Sequence, residues 1–84
     1  MCYRIEFHPR ARRELAKLPK MIAERIANAI DDLEFNPRPH GCKKLAGRDA
    51  WRIRIGDYRV IYQIHDGRLF VLVVRIGHRS DIYD

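Results

Sequence analysis

Between Trp51 and Ile76 the chain runs through three strand-like segments in close succession, and this succession restricts the available folds more than any other feature of the sequence. The segments are Trp51 to Ile55, Tyr58 to His65 and Leu69 to Ile76, joined by Gly56-Asp57 and Asp66-Gly67. All three are rich in β-branched and aromatic residues, and an Asp-Gly pair between such runs is a strong signal for a two-residue hairpin. Strands joined this closely pair antiparallel. Trp51, Ile53 and Ile55 alternate with Arg52 and Arg54, and Tyr58, Val60, Tyr62 and Ile64 alternate with Arg59, Ile61, Gln63 and His65. That period of two marks strands with one apolar face. Leu69 to Val74 is apolar without alternation, which predicts a central strand covered by helices on one face and by a partner or substrate on the other.

The first half of the chain supplies the cover. Tyr3, Ile5 and Phe7 alternate with Arg4 and Glu6, predicting a half-buried strand. Pro9 suits the first turn of a helix, where its missing N–H costs nothing. Ala11, Leu15 and Leu18 follow at helical spacing until Pro19. A second helix is predicted from Lys20 to Phe35, with Ile22, Ile26, Ile30 and Leu33 on one stripe and Asn36-Pro37 as the stop signal. The two helices are nearly contiguous and must form a hairpin. Residues 38–50 lack sustained periodicity and read as a loop returning to the sheet. The predicted order is βααβββ. It describes an α+β fold in which a helical hairpin packs on one face of a small, mainly antiparallel four-stranded sheet. With 84 residues, residues 1–84 are expected to form a single domain, and the 46% apolar and 33% charged fractions suit a globular core.

Charge narrows the function. The net charge is +6, and of the 17 basic residues only Lys17, Lys20, Lys43 and Lys44 are lysines. The charge favours an anionic partner such as nucleic acid, the ribosome, a membrane or an acidic protein. Because guanidinium groups bind phosphate bidentately and stay charged when partly buried, the arginine bias suits phosphate recognition better than mere solubility. If both hairpin strands turn their apolar faces to the helices, Arg52, Arg54 and Arg59 converge on the other face as a phosphate-sized cluster. Arg75 and the segment Gly77-His78-Arg79-Ser80-Asp81-Ile82-Tyr83 add two further guanidiniums, an imidazole and a phenol. One strand arginine alone reads as a solvated charge that discourages edge pairing. Three on one face, closed by an Arg/His/Tyr tail, read better as an anion site. Lys43 and Lys44, just before the first basic strand, read equally as contacts to an RNA backbone or as a solvated loop.

Other classes are disfavoured. No window approaches a membrane span, and Met1-Cys2-Tyr3-Arg4 lacks the apolar core of a signal peptide, so a cytoplasmic location without membrane partners is expected. Cys2 and Cys42 are expected to be reduced thiols. Together with His8 and His40 they match no zinc-finger or ribbon spacing, so neither a metal nor a small-molecule cofactor is expected.

The run from Trp51 to Tyr62, followed by Ile76-Gly77-His78-Arg79 and Tyr83, resembles the RelE branch of the RelE/ParE toxin superfamily. Phe7-His8-Pro9-Arg10-Ala11, Lys17-Leu18-Pro19, Asn36-Pro37-Arg38 and Lys44-Leu45-Ala46-Gly47 also fit, so the resemblance covers essentially the whole chain. It implies the toxin of a type II toxin–antitoxin system: a metal-independent endoribonuclease that enters the ribosomal A site, cleaves mRNA there and inhibits translation, held inactive by a cognate antitoxin. Carried over residue by residue, it implies functional roles for Arg52, Arg54, Arg59, Arg79 and Tyr83. In cleavage by attack of the ribose 2′-hydroxyl on the adjacent phosphate, Arg59 and Arg79 would clamp the phosphate and Arg54 would neutralise charge near the leaving group. Arg52 would position RNA, with Lys43, Lys44, Arg75 and His78 as further RNA or ribosome contacts. Tyr83 would be the general base, its phenolate favoured by nearby arginines. Where some members of this branch carry lysines, this chain has Arg52 and Arg54, and an arginine is a poor proton donor. His78 is a candidate for that acid role, the alternative reading being a turn histidine that faces solvent. Two alternatives remain open: a ParE-like DNA gyrase inhibitor, and a catalytically inactive binding module acting with an antitoxin.

Overall fold

The computed structural model describes residues 2–81. Strand β1 (Arg4–Phe7) leads into helix α1 (Pro9–Ala16), which starts where expected, with Pro9 in its first turn. His8 caps it, the imidazole Nδ1 accepting the Arg10 N–H at 3.1 Å. Helix α2 (Lys20–Asp32) follows after Pro19. It stops three residues before the expected Phe35. The backbone N–H groups of Leu33, Glu34 and Phe35 instead reach carbonyls three residues back, a tightened final turn, and the Glu34 carbonyl accepts the Tyr3 N–H at 2.7 Å.

Strands β2 (Lys43–Lys44), β3 (Trp51–Ile55), β4 (Tyr58–His65) and β5 (Phe70–His78) complete a five-stranded sheet in the order β1-β5-β4-β3-β2. The pair β1/β5 is parallel and the other pairs are antiparallel. The α+β class and the helical layer are as expected, but the sheet has five strands rather than four. The extra strand, β2, is too short to show a period of two. It exists because Lys43 and Lys44 pair with Arg52 and Trp51. Strand β5 is interior, between β1 and β4, while the middle position belongs to β4.

The second hairpin connection also differs from expectation. Asp66–Arg68 forms one turn of 3-10 helix instead of a two-residue turn, and Leu69, not Gly67, takes the left-handed conformation at φ 54°. The Asp66 carboxylate explains part of this geometry, since it accepts from the Tyr3 hydroxyl at 2.8 Å and from the Arg38 guanidinium at 2.9 and 3.2 Å.

The main core lies between helices and sheet. Ala11, Ile26, Ile30 and Leu33 pack on Ile53, Val60, Tyr62, Val71, Val73 and Ile76. Val73 and Ile76 are three residues apart, a spacing that would put them on opposite faces of a regular strand. A register shift reconciles them: Ile61 pairs with Arg75 but Tyr62 pairs with Val73, leaving Val74 as an extra residue in β5. This bulge shifts the alternation of the residues beyond Val74 by one position. On the opposite face Leu45, Ala50 and Ile61 form a second cluster, with Val74 against it.

Candidate active site

The site forms where the β3–β4 turn meets the end of β5. Gly56 occupies the left-handed region at φ 59°, which a tight turn between paired residues Ile55 and Tyr58 requires. Strand alternation then sets Arg54 directly opposite Arg59. Along the other side of β4, Arg59 pairs with Gly77 and Tyr58 with His78. The Arg79 N–H donates to the Asp57 carbonyl at 2.8 Å, tying the residue after β5 to the turn. Arg54, Arg59 and Arg79 thereby line one cavity of about 70 Å³, together with Gly56, Asp57 and Tyr58. Three guanidiniums around a small polar cavity have the charge and hydrogen-bond geometry to receive a tetrahedral or planar oxyanion.

His78 stands beside this cavity, its ring edge-on to Tyr58 with centroids 5.4 Å apart. Its Nδ1 lies 2.8 Å from the Ser80 hydroxyl and accepts the Ser80 N–H at 3.2 Å. That bond assigns the neutral ring's proton to Nε2.

Other expected residues are placed differently. Arg52 is only 4% exposed and does not line the cavity. The reason is tertiary: its cross-strand neighbour Ile61 lies beneath Leu45 and Ala50, so this part of the face is covered. Arg75 is half-buried and bonds Glu14 through its Nε at 3.2 Å. Lys43 and Lys44 are exposed on the edge strand β2 and do not line the arginine cavity. Tyr83 lies outside the described residues. Three cavity residues were not anticipated: Gly56 and Asp57, whose signal was the Gly-Asp turn they form, and Tyr58, which joins the core fringe and also lines the cavity.

At the opposite end of β4 a second polar cluster joins three segments. Arg38 binds Asp66 bidentately, lies 5.1 Å over the Trp51 ring, and shares Asp66 with Tyr3. The Arg38 guanidinium, followed by the Tyr3 hydroxyl, holds the Asp66 carboxyl below its ordinary range, and Asp66 in turn raises the Tyr3 phenol. The Asp66 end of this cluster lies about 23 Å along β4 from Arg59, taking about 3.3 Å per residue. It organises loops rather than the site. Among the described residues no group of three or more His, Cys, Asp or Glu is gathered to hold a metal ion.

A helical hairpin on a mixed sheet, with an arginine-lined anion pocket at the strand ends, defines a class of small basic α+β proteins. Comparison with known proteins specifies it. The family described as ParE toxin of type II toxin-antitoxin system, parDE, matches residues 5–83. Toxin RelG of Mycobacterium tuberculosis is 38% identical over 99% of this chain and 98% of its own length. The mRNA interferase toxin RelE of Escherichia coli is 29% identical over 99% of this chain and 92% of its own. The archaeal RelE–RelB complex from Pyrococcus horikoshii contains a chain that superimposes with a TM-score of 0.84 at 32% identity, covering 98% of this chain and 100% of that one. The chain belongs to the RelE/ParE toxin superfamily and, within it, to the RelE branch of type II toxins.

Proposed function

We propose that this toxin is an endoribonuclease that cleaves mRNA on the ribosome and so arrests translation in the cytoplasm. The observation that carries the proposal is the convergence of Arg54, Arg59 and Arg79 on one small cavity. In the reaction the ribose 2′-oxygen attacks the adjacent phosphorus and the bond to the 5′-oxygen breaks, leaving a cyclic phosphate and a 5′-hydroxyl. Arg59 and Arg79 clamp the phosphate and stabilise the added charge, and Arg54 faces the leaving oxygen. Tyr83 serves as general base, and Asp84, the next residue in sequence, opposes its ionisation. His78 serves as general acid. Its charged form must give up the Ser80 N–H bond to Nδ1, and that rearrangement is part of its protonation. Arg52, Arg75, Lys43 and Lys44 contribute to positioning RNA or ribosomal RNA; Arg52, being buried, does so from beneath the surface.

The partner that silences the toxin is an antitoxin, acidic around the segment that covers the arginine face. The RelE of Pyrococcus horikoshii was solved with its RelB, and the Escherichia coli toxin likewise as a RelBE toxin-antitoxin complex. The test is cell-free translation with mapping of mRNA ends. Arg59→Ala and Arg79→Ala are each expected to lower cleavage by about 10²–10³-fold, the usual loss of one preorganised donor, and Tyr83→Phe to abolish the base. Undiminished cleavage by either arginine variant overturns the assignment. The match to a ParE family description favours a second reading, a gyrase inhibitor. Inhibition of DNA supercoiling without mRNA cleavage would select it, and the absence of both activities would leave a binding module.

A further inference from the structure

We propose that Glu14 is a positioning residue of the arginine pocket, holding in place the end of β5 that delivers Arg79. The inference rests on reading that pocket as the toxin's anion site.

It starts from a gap in the sheet. Strand β1 accompanies β5 only as far as the Phe7–Val73 pair. Beyond Val73 no strand among the described residues lies beside the outer edge of β5, and α1 begins immediately after β1. Glu14, in the second turn of α1, fills this gap. Its Oε1 accepts the Ile76 N–H at 2.9 Å, and its Oε2 accepts the Arg75 Nε at 3.2 Å. The Arg10 Nε lies 3.7 Å from Oε2, one helical turn away, and the Glu14 side chain is 23% exposed. One carboxylate thus replaces the missing strand neighbour for a backbone donor that would otherwise lack a protein acceptor.

The position matters for the site. Arg79 is three residues after Ile76, and its own N–H is fixed to Asp57 on the opposite side at 2.8 Å. Gly77 and His78 are held there too, opposite Arg59 and Tyr58. The segment carrying His78 and Arg79 is therefore gripped from the inside by β4 and from the outside by Glu14. Glu14 does not line the arginine cavity, but it borders the adjacent one with Tyr58 and His78. It acts through β5, not on the anion. Small displacements are costly at such a site, since a misplacement of about 1 Å can cost about 10²-fold.

Two substitutions separate reach from charge. Glu14→Gln keeps an oxygen within reach of the Ile76 N–H and loses the ion pair; Glu14→Asp keeps the charge and shortens the reach by one methylene. Glu24→Gln, on the exposed side of α2, controls for the charge change. Each folded variant is titrated with inorganic phosphate while the arginine Nε–H resonances are followed by NMR, and cleavage of ribosome-bound mRNA is measured in parallel. Glu14→Asp is expected to weaken phosphate binding at Arg79 by about tenfold and to lower kcat more than it raises KM, with Glu14→Gln recovering to within about threefold of wild type. Wild-type phosphate affinity in folded Glu14→Asp, or equal losses in the Gln and Asp variants, overturns the proposal. If the wild type binds phosphate but cleaves nothing, the ribonuclease reading fails while the phosphate arm still decides the role of Glu14.

Discussion

Arg54 and Arg59 face each other across β3 and β4, an arrangement that sequence design for stability alone would avoid. Like charges directly opposite on a sheet are destabilising by about 0.2–1 kcal/mol. Arg54 is exposed and makes no ion pair among the described residues, so its replacement removes repulsion without removing a partner. Arg54→Ala is therefore expected to raise unfolding stability by up to about 1 kcal/mol while weakening phosphate binding; urea denaturation beside a phosphate titration checks both. Tyr62 is the opposite kind of residue. Its buried hydroxyl donates to the Pro37 carbonyl at 2.8 Å, and burial pushes the phenol's pKa upward, so the donor stays protonated. Tyr62→Phe leaves that carbonyl without its donor and should cost about 1–3 kcal/mol, with a denaturation midpoint equal to wild type counting against it. The alternation of β3 and β4 assigned every one of these side chains to its correct face. It could not assign depth: Arg52 and Arg54 share a face, but only Arg52 is covered, because Leu45 and Ala50 fold over its neighbour Ile61.

At the scale of elements, the β3–β4 turn and the β4–β5 loop do different work. Gly56 has room for a methyl group, since an added Cβ would meet nothing nearer than the Arg25 guanidinium at 3.9 Å. The obstacle is its φ of 59°, which costs a non-glycine residue about 1–2 kcal/mol. Gly56→Ala should destabilise by about that amount. Because the turn also tethers Arg79, cleavage should fall further than in a core variant of equal stability loss; parallel losses would argue against the tether. The β4–β5 loop responds instead to acid. Asp66 has a lowered folded pKa, so its contribution is fully present above the ordinary carboxylate range and is lost as pH falls through the lowered value. The wild-type denaturation midpoint should drop across that acid window, and Asp66→Asn should show a smaller drop. The effect should be modest and salt-sensitive, because the Arg38–Asp66 pair is exposed. Both helices were legible from their apolar spacing. Strand β2 was not, because two residues carry no periodicity and its existence depends on pairing with β3.

For the whole molecule, the net charge of +6 supplies long-range attraction to a polyanion such as the proposed RNA substrate, and the arginine pocket concentrates it. Neutralising phosphates on a single strand changes the slope of log K against log salt by about −0.7 per contact, so three arginine contacts should give a slope near −2. Arg59→Ala should reduce its magnitude by about 0.7, and an unchanged slope would place Arg59 outside the RNA contact. The sequence by itself determined the order of the two helices and the four longer strands, the faces of β3 and β4 and the arginine-rich chemistry, because side-chain period, turn residues and charge are local properties. Only the tertiary structure decided that β5 runs parallel beside β1, that a bulge reconciles Val73 with Ile76, that Arg52 is buried, and that Arg79 joins Arg54 and Arg59 under the hold of Glu14. Those outcomes depend on which distant segments pair with or cover one another, and a strand's own pattern is the same whichever neighbour it finds.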